Sequence, residues 1–281
     1  MLRNAGTGVD ARPACVYMIN YTECVALLMQ DIVARTPALG FIDLREVLVF
    51  GRFGRPDAEG AFATCHCLTL PESEPGYYFW RDRATGKVTR RSEWFTTKTP
   101  EVRIEGTRIK YLISFVLPRF CDQRLDRSWK ADLYGGLAPW VAKLDTIIHE
   151  LYHIDPAAGG IRQFANADQT RSPRTHGPEF YDSVADMTRT YVASRPDPAV
   201  YEFLEWDFAS LHARHGGVVA TTFRNFPSFP QRYMAPCSSL PVDEGVKIEP
   251  LKRFTQPLLY TEQDLHVRQF TGASARRMSA A

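Results

Sequence analysis

The stretch from Trp140 to Asp155, Trp-Val-Ala-Lys-Leu-Asp-Thr-Ile-Ile-His-Glu-Leu-Tyr-His-Ile-Asp, decides how the rest of the chain is read. Its apolar positions Val141, Leu144, Ile147, Ile148 and Leu151 recur at intervals of three and four, which predicts a helix with one buried face. Pro139 is tolerated in the first turn of such a helix, and Asp155-Pro156 ends it. Within it, His149-Glu150-Leu151-Tyr152-His153 forms an HExxH motif. A spacing of four carries the helix about 400° round its axis, so both imidazoles lie on one face and can converge on one ion. Glu150, next to the first histidine, can reach an attacking water and act as its base. Two histidines and a glutamate are costly to bury without partners, which speaks against a purely structural helix face.

Working outward, a catalytic zinc needs a third protein ligand. Asp168, His176, Glu179, Asp182, His212 and His215 all follow the motif. His176 stands before a second predicted helix, Pro178 to Ala193, where Gly177-Pro178 can aim its ring at the first. Each ligand imidazole also needs a partner for its other nitrogen, for which Asp145, Asp182 and Asp186 are the candidates. Stabilisation of a developing oxyanion can come from a phenol, imidazolium or guanidinium; Tyr152, Tyr181, His212, His215 and Arg174 are available, with Tyr181 close in sequence to His176.

On the amino-terminal side, residues 22 to 35 read as a helix that Thr36-Pro37 stops. Strands are expected at 47–53, 63–70 and 108–117, with an aromatic strand from Tyr77 entering a hairpin at Ala84 to Lys87. Residues 108–117 are apolar almost throughout, as in a strand covered on both faces. A short helix over Val200 to Leu211 and a late strand over Val218 to Phe223 complete the regular structure. The expected class is α+β, a zincin-like mixed or antiparallel sheet packed against the HExxH helix and a second ligand-bearing helix. The expected organisation is a flexible leader over 1–14, one metallopeptidase domain over 15–224 and an extension of packed coil over 225–281 with a mobile end.

Composition excludes other classes. With 34 Lys plus Arg against 32 Asp plus Glu, the formal charge is +2, so no global field points to nucleic acid or an anionic membrane. The basic segments Arg81 to Arg91 and Arg119 to Lys130 permit contact with phosphate, but Asp82, Asp122 and Asp126 dilute them, and nucleic acid is not favoured. No apolar run is long enough for a membrane span or a secretion signal, so a cytoplasmic protein with six free cysteines is expected. Cys65-His66-Cys67 lacks the spacing of a structural zinc site; on a strand both thiols share one face and His66 takes the other.

Three segments, HELYHIDP (149–156), GGIRQF (159–164) and THGPEFYDSV (175–184), together resemble the catalytic core of SprT-like and WLM-like zinc peptidases, and more closely a group of bacterial and phage metallopeptidases. The segment DIVARTPALGFIDLREVLV (31–49) resembles that group as well. The resemblance is specific over residues 140 to 190 and does not extend beyond about 205. It implies one zinc ion per chain, held by His149, His153 and the histidine of the later HG pair, His176, with Glu150 as base. The cysteine-paired zinc ribbon that follows many SprT-like cores is missing here, which weakens any transfer of a role in repairing DNA-linked proteins.

The leading expectation is therefore hydrolysis of a peptide bond in an extended protein or peptide substrate, held along a sheet edge formed by residues 63–70 or 218–223. The same ligands would serve an isopeptide or another modified amide in a closed pocket, and a zinc-organised module binding protein or nucleic acid is the second class of reading. The Pro- and Phe-rich run NFPSFPQRYMAPC (225–237) is a candidate cover for the groove. Oligomeric state is not legible.

Overall fold

The computed structural model describes residues 17–55, 59–68, 76–82, 84–85, 87–98, 101–124, 130–134, 136–156, 160–162, 175–223, 233–236, 244–249 and 259–271. In chain order the elements are β1 (Ile19–Asn20), α1 (Tyr21–Arg35), β2 (Val47–Gly54), β3 (Ala63–Cys67), β4 (Gly76–Arg81), β5 (Val88–Lys98), β6 (Glu101–Ile104), β7 (Thr107–Arg108), β8 (Tyr111–Pro118), α2 (Lys130–Tyr134), α3 (Val141–Tyr152), α4 (Pro178–Ala193), α5 (Pro198–Tyr201), α6 (Phe208–His215), β9 (Val218–Phe223), β10 (Tyr233–Pro236), β11 (Lys247–Glu249), β12 (Leu259–Tyr260) and β13 (Leu265–Phe270). The fold is mixed α+β, with helices packed against mixed sheets.

The sheet that matters for the site has the order β2-β8-β3. β8 lies at its centre, parallel to β2 from Val47↔Tyr111 and antiparallel to β3 from Ala63↔Phe115. All eight residues of β8 are buried, as a sequence apolar but for Ser114 requires. The strand period of two sorts them. Tyr111, Ile113, Phe115 and Leu117 join Val47 and Val49 in the main core with Leu28 of α1, Leu144 and Ile147 of α3, and Phe180 and Val184 of α4. Leu112 turns to the reverse face, where it meets Phe50, Leu68, Val102, Ile109 and Tyr260 in a second cluster. A second sheet, β1-β9-β13, passes so close to the first that a Cβ on Gly51 would come within 2.8 Å of the Ala220 Cβ. Glycine at 51 permits that approach.

Several boundaries differ from the sequence reading. The strand expected over 108–117 begins at Tyr111, with Thr107–Arg108 in the separate β7. The helix expected over 200–211 breaks in two, because Asp207 accepts the Ser210 N–H at 2.8 Å and starts α6 afresh. Residues after 224, expected as coil, supply β10 to β13. In particular, β13 runs antiparallel along β9 from Leu265↔Phe223 to Phe270↔Val218. Most of the run 225–237 lies outside the described residues, as do residues 1–14, Asp168 and Arg174. Cys24, Cys65, Cys67 and Cys121 are free thiols. Among the described residues no helix is long and apolar enough to cross a membrane.

Candidate metal centre

α3 places His149 and His153 one turn apart, with their Nε2 atoms 3.2 Å from each other. His176 comes from the segment before α4. Gly177 is extended (φ −141°, ψ 174°) and Pro178 occupies the first turn, so the chain arrives across the axis of α4 and not along it. That carries His176 Nε2 to 3.0 Å from His149 Nε2. Thr175 Oγ1 lies 3.1 Å from His176 Nδ1 and fixes the ring with Nε2 inward. Three donor atoms, one per histidine, lie within 4.8 Å of one another.

These residues fit a tetrahedral zinc ion. Ligand nitrogens at zinc bond lengths of 2.0–2.1 Å stand about 3.3 Å apart, close to the two shorter separations here. Direct hydrogen bonding explains the cluster poorly, since a single Nε2 lone pair on His149 cannot serve both neighbours well. Burial is the main force holding all three imidazoles neutral: it depresses His149 to about 2 and His153 to about 3, with the neighbouring rings adding to the effect, and lowers His176 in the same direction. A neutral imidazole is the form that ligates. His153 Nδ1 is buried with no hydrogen-bond partner among the described residues.

Phe180 supports the cluster from behind. Its fully buried ring lies 4.8 Å from His149, 4.8 Å from His153 and 5.0 Å from His176, centroid to centroid. The carboxyl end of α3 is closed by Arg162, whose Nε donates to the Tyr152 carbonyl at 2.7 Å while its backbone N–H donates to the His153 carbonyl at 2.7 Å. Terminal carbonyls of α3 are thereby satisfied.

A cleft of about 600 Å³ opens beside the histidines, bounded by residues 61–65, Glu150, Tyr181 and a polar group formed by Gln123, Lys130 and Thr146. Glu150 is 5% exposed. Burial pushes its carboxyl up to about 8, opposed by a hydrogen bond from the Cys65 backbone N–H and by the charges of Lys130 and Arg52. β3 is an edge strand among the described residues, pairing with β8 alone. Donation from Val116 N to Phe62 O and from Leu68 N to Lys110 O sets the phase of the ladder. Even-numbered residues therefore bond to β8, and Ala63, Cys65 and Cys67 turn their backbone groups to the open side. The other expected edge, Val218 to Phe223, is paired along its whole length by β13, while on its other side β1 covers only Val218 and Val219 and the Thr221 N–H is taken by Thr22 Oγ1 at 2.9 Å.

The remaining candidates fall in different places. Tyr181 lines the cleft with its ring stacked on His176 at 5.8 Å. Tyr152 packs on Phe180, with the Arg162 guanidinium 4.1 Å above its ring. Asp145 is 1% exposed; it is ion-paired with Lys130 and accepts from the Tyr134 hydroxyl. Asp182 and Asp186 are exposed on α4, and Asp186 pairs with Arg189 at 2.9 Å. His212 is exposed on α6. Sequence reasoning missed Phe180, Lys130, Thr146 and Gln123. Phe180 read as one more apolar position, and Gln123 and Lys130 stand outside every periodic segment.

Compared with known proteins, the chain matches no family model, no curated protein and no solved structure.

Proposed function

We propose that His149, His153 and His176 hold one zinc ion per chain in a zincin-like site, and that the protein hydrolyses peptide bonds in extended segments of a protein substrate. The observation that carries this reading is the shared cleft: three imidazole nitrogens, a buried carboxyl and the open edge of β3 face the same space. Zinc bound there supplies Lewis-acid activation of a carbonyl oxygen and of a water. The chain's own residues do the rest. The Cys65 N–H is held by Glu150, which leaves the Ala63 backbone groups and the Cys65 carbonyl on the open edge to align a substrate strand. Glu150, whose carboxyl lines the same cleft as the three imidazoles, takes a proton from the attacking water in its ionised form and delivers it to the departing nitrogen. The Tyr181 phenol, at the cleft wall, is the side chain proposed to donate to the carbonyl oxygen as charge develops on it. The likeness of residues 140–190 to SprT-like cores agrees with this plan.

A second reading has one observation in its favour: the ligand set is complete without Glu150, so the same histidines would also organise a regulatory or recognition surface. Glu150→Gln separates the two. Zinc stoichiometry is expected to be unchanged in this variant, while turnover of a peptide library falls by roughly 10²- to 10⁴-fold. Zinc in the wild type without turnover of any peptide would favour the recognition module, and wild type free of zinc after purification and reconstitution would defeat both.

A further inference from the structure

The polar end of the cleft is built in a way that the hydrolytic mechanism does not use. Lys130, 8% exposed, is ion-paired with Asp145 and donates to the Ala142 carbonyl at 3.1 Å and to Thr146 Oγ1 at 2.8 Å. Its three N–H groups are thereby committed. Thr146 Oγ1 in turn lies 3.1 Å from Gln123 Oε1 and 3.0 Å from the Ala142 carbonyl. Donation from an ammonium polarises the hydroxyl and makes it a stronger donor, so the carbonyl end of the Gln123 amide is drawn to Thr146. The amide nitrogen is left over. Gln123 is 6% exposed and lines the cleft, and its nitrogen has no partner among the described residues without being sealed off from the cleft.

We propose that Gln123 is a specificity-determining residue, held by the chain Asp145-Lys130-Thr146 so that its amide N–H groups receive a neutral carbonyl oxygen of the substrate. This rests on the peptide-hydrolysis reading of the same cleft. A donor that a bound ligand covers without supplying an acceptor costs free energy, and a site built round one discriminates against ligands that cannot fill it. Neutral oxygen is favoured over carboxylate because the Lys130 charge is matched by Asp145 and all its donors are engaged, while Glu150 adds a further acidic group to the same wall. The oxygen can come from the substrate main chain or from an Asn or Gln side chain.

The test measures calorimetric binding of intact peptides to zinc-loaded Glu150→Gln protein, with and without Gln123→Met or Gln123→Glu. The peptides carry Gln, Asn, Glu or Leu at successive positions, and turnover is followed in parallel with Glu150 intact. Gln123→Glu keeps an acceptor for Thr146 and removes the amide donors, whereas Gln123→Met removes both. Both variants are expected to retain zinc and to bind roughly tenfold more weakly. A loss confined to Gln and Asn peptides assigns the oxygen to a side chain; an equal loss for every peptide assigns it to the main chain. Unchanged affinity in both variants, or wild-type affinity in Gln123→Glu with a loss only in Gln123→Met, would overturn the assignment and leave the hydrolytic reading intact. Failure of the zinc-loaded protein to bind or turn over any peptide would remove both together.

Discussion

The ring of Phe180 lies 4.8 Å from that of His149 at an interplanar angle of 70°, edge against face, inside a fully buried position of α4. One apolar side chain thus sets the distance between the helix that carries His149 and the helix whose start carries His176. Phe180→Ala is expected to destabilise the fold by about 3–5 kcal/mol, because the cavity lies where α3 and α4 meet and cannot close without moving a histidine of the cluster. It should also weaken zinc binding. Urea unfolding and zinc titration of Phe180→Ala and Phe180→Leu check this, with the smaller loss in Phe180→Leu.

Metal removal should be felt as a loss of stability. An ion that binds only the folded state adds about 2.7 kcal/mol at a free concentration a hundredfold above its Kd. Thermal unfolding of the wild type is therefore expected to shift upward on adding zinc and downward on adding a chelator. In His176→Ala, which leaves only the two α3 nitrogens, the shift should shrink greatly.

Asp145, a candidate from its position to orient a ligand ring, is tied instead to Lys130 and Tyr134. Removing its charge leaves a buried ammonium uncompensated, and Asp145→Asn is expected to cost about 3–5 kcal/mol. Zinc stoichiometry should survive. Replacing the pair together, Lys130→Met with Asp145→Leu, should cost less than the sum of the single changes. A double-mutant cycle by chemical denaturation measures the difference.

Lys143 carries a pH dependence of known sign. It is 4% exposed, donates to the Leu204 and Trp206 carbonyls at 2.8 Å each, and burial holds its ammonium below the ordinary lysine value of 10.5. Between the lowered folded pKa and 10.5 the unfolded chain binds more protons, so stability rises with pH across that window and levels off above it. Relative to Lys143→Met, which has no proton to lose there, the wild type should gain stability as pH rises. Urea unfolding of both proteins over the alkaline range reads the difference directly.

Where the chain's chemistry is local, the sequence determined it. The three-and-four spacing of Val141, Leu144, Ile147, Ile148 and Leu151 made α3, and the i, i+4 geometry of a helix then brought His149 and His153 to one face without help from any other element. The nearly continuous apolar run of β8 required cover on both faces, and it has it. The later strands were hidden because Leu265–Phe270 leaves only Phe270 buried, and such a segment becomes a strand only once β9 offers its hydrogen bonds. His176 was one of several downstream candidates by its residue type, since nothing in a linear pattern fixes the direction in which a chain arrives at a helix. Its position at 3.0 Å from His149 depends on the packing of α4 on α3 through Phe180. The same holds for Gln123, Lys130 and Thr146: two of these lie far from the HExxH motif in sequence, and only tertiary packing brings them to the cleft, because burying a charge and an amide demands partners that the chain gathers from distant segments.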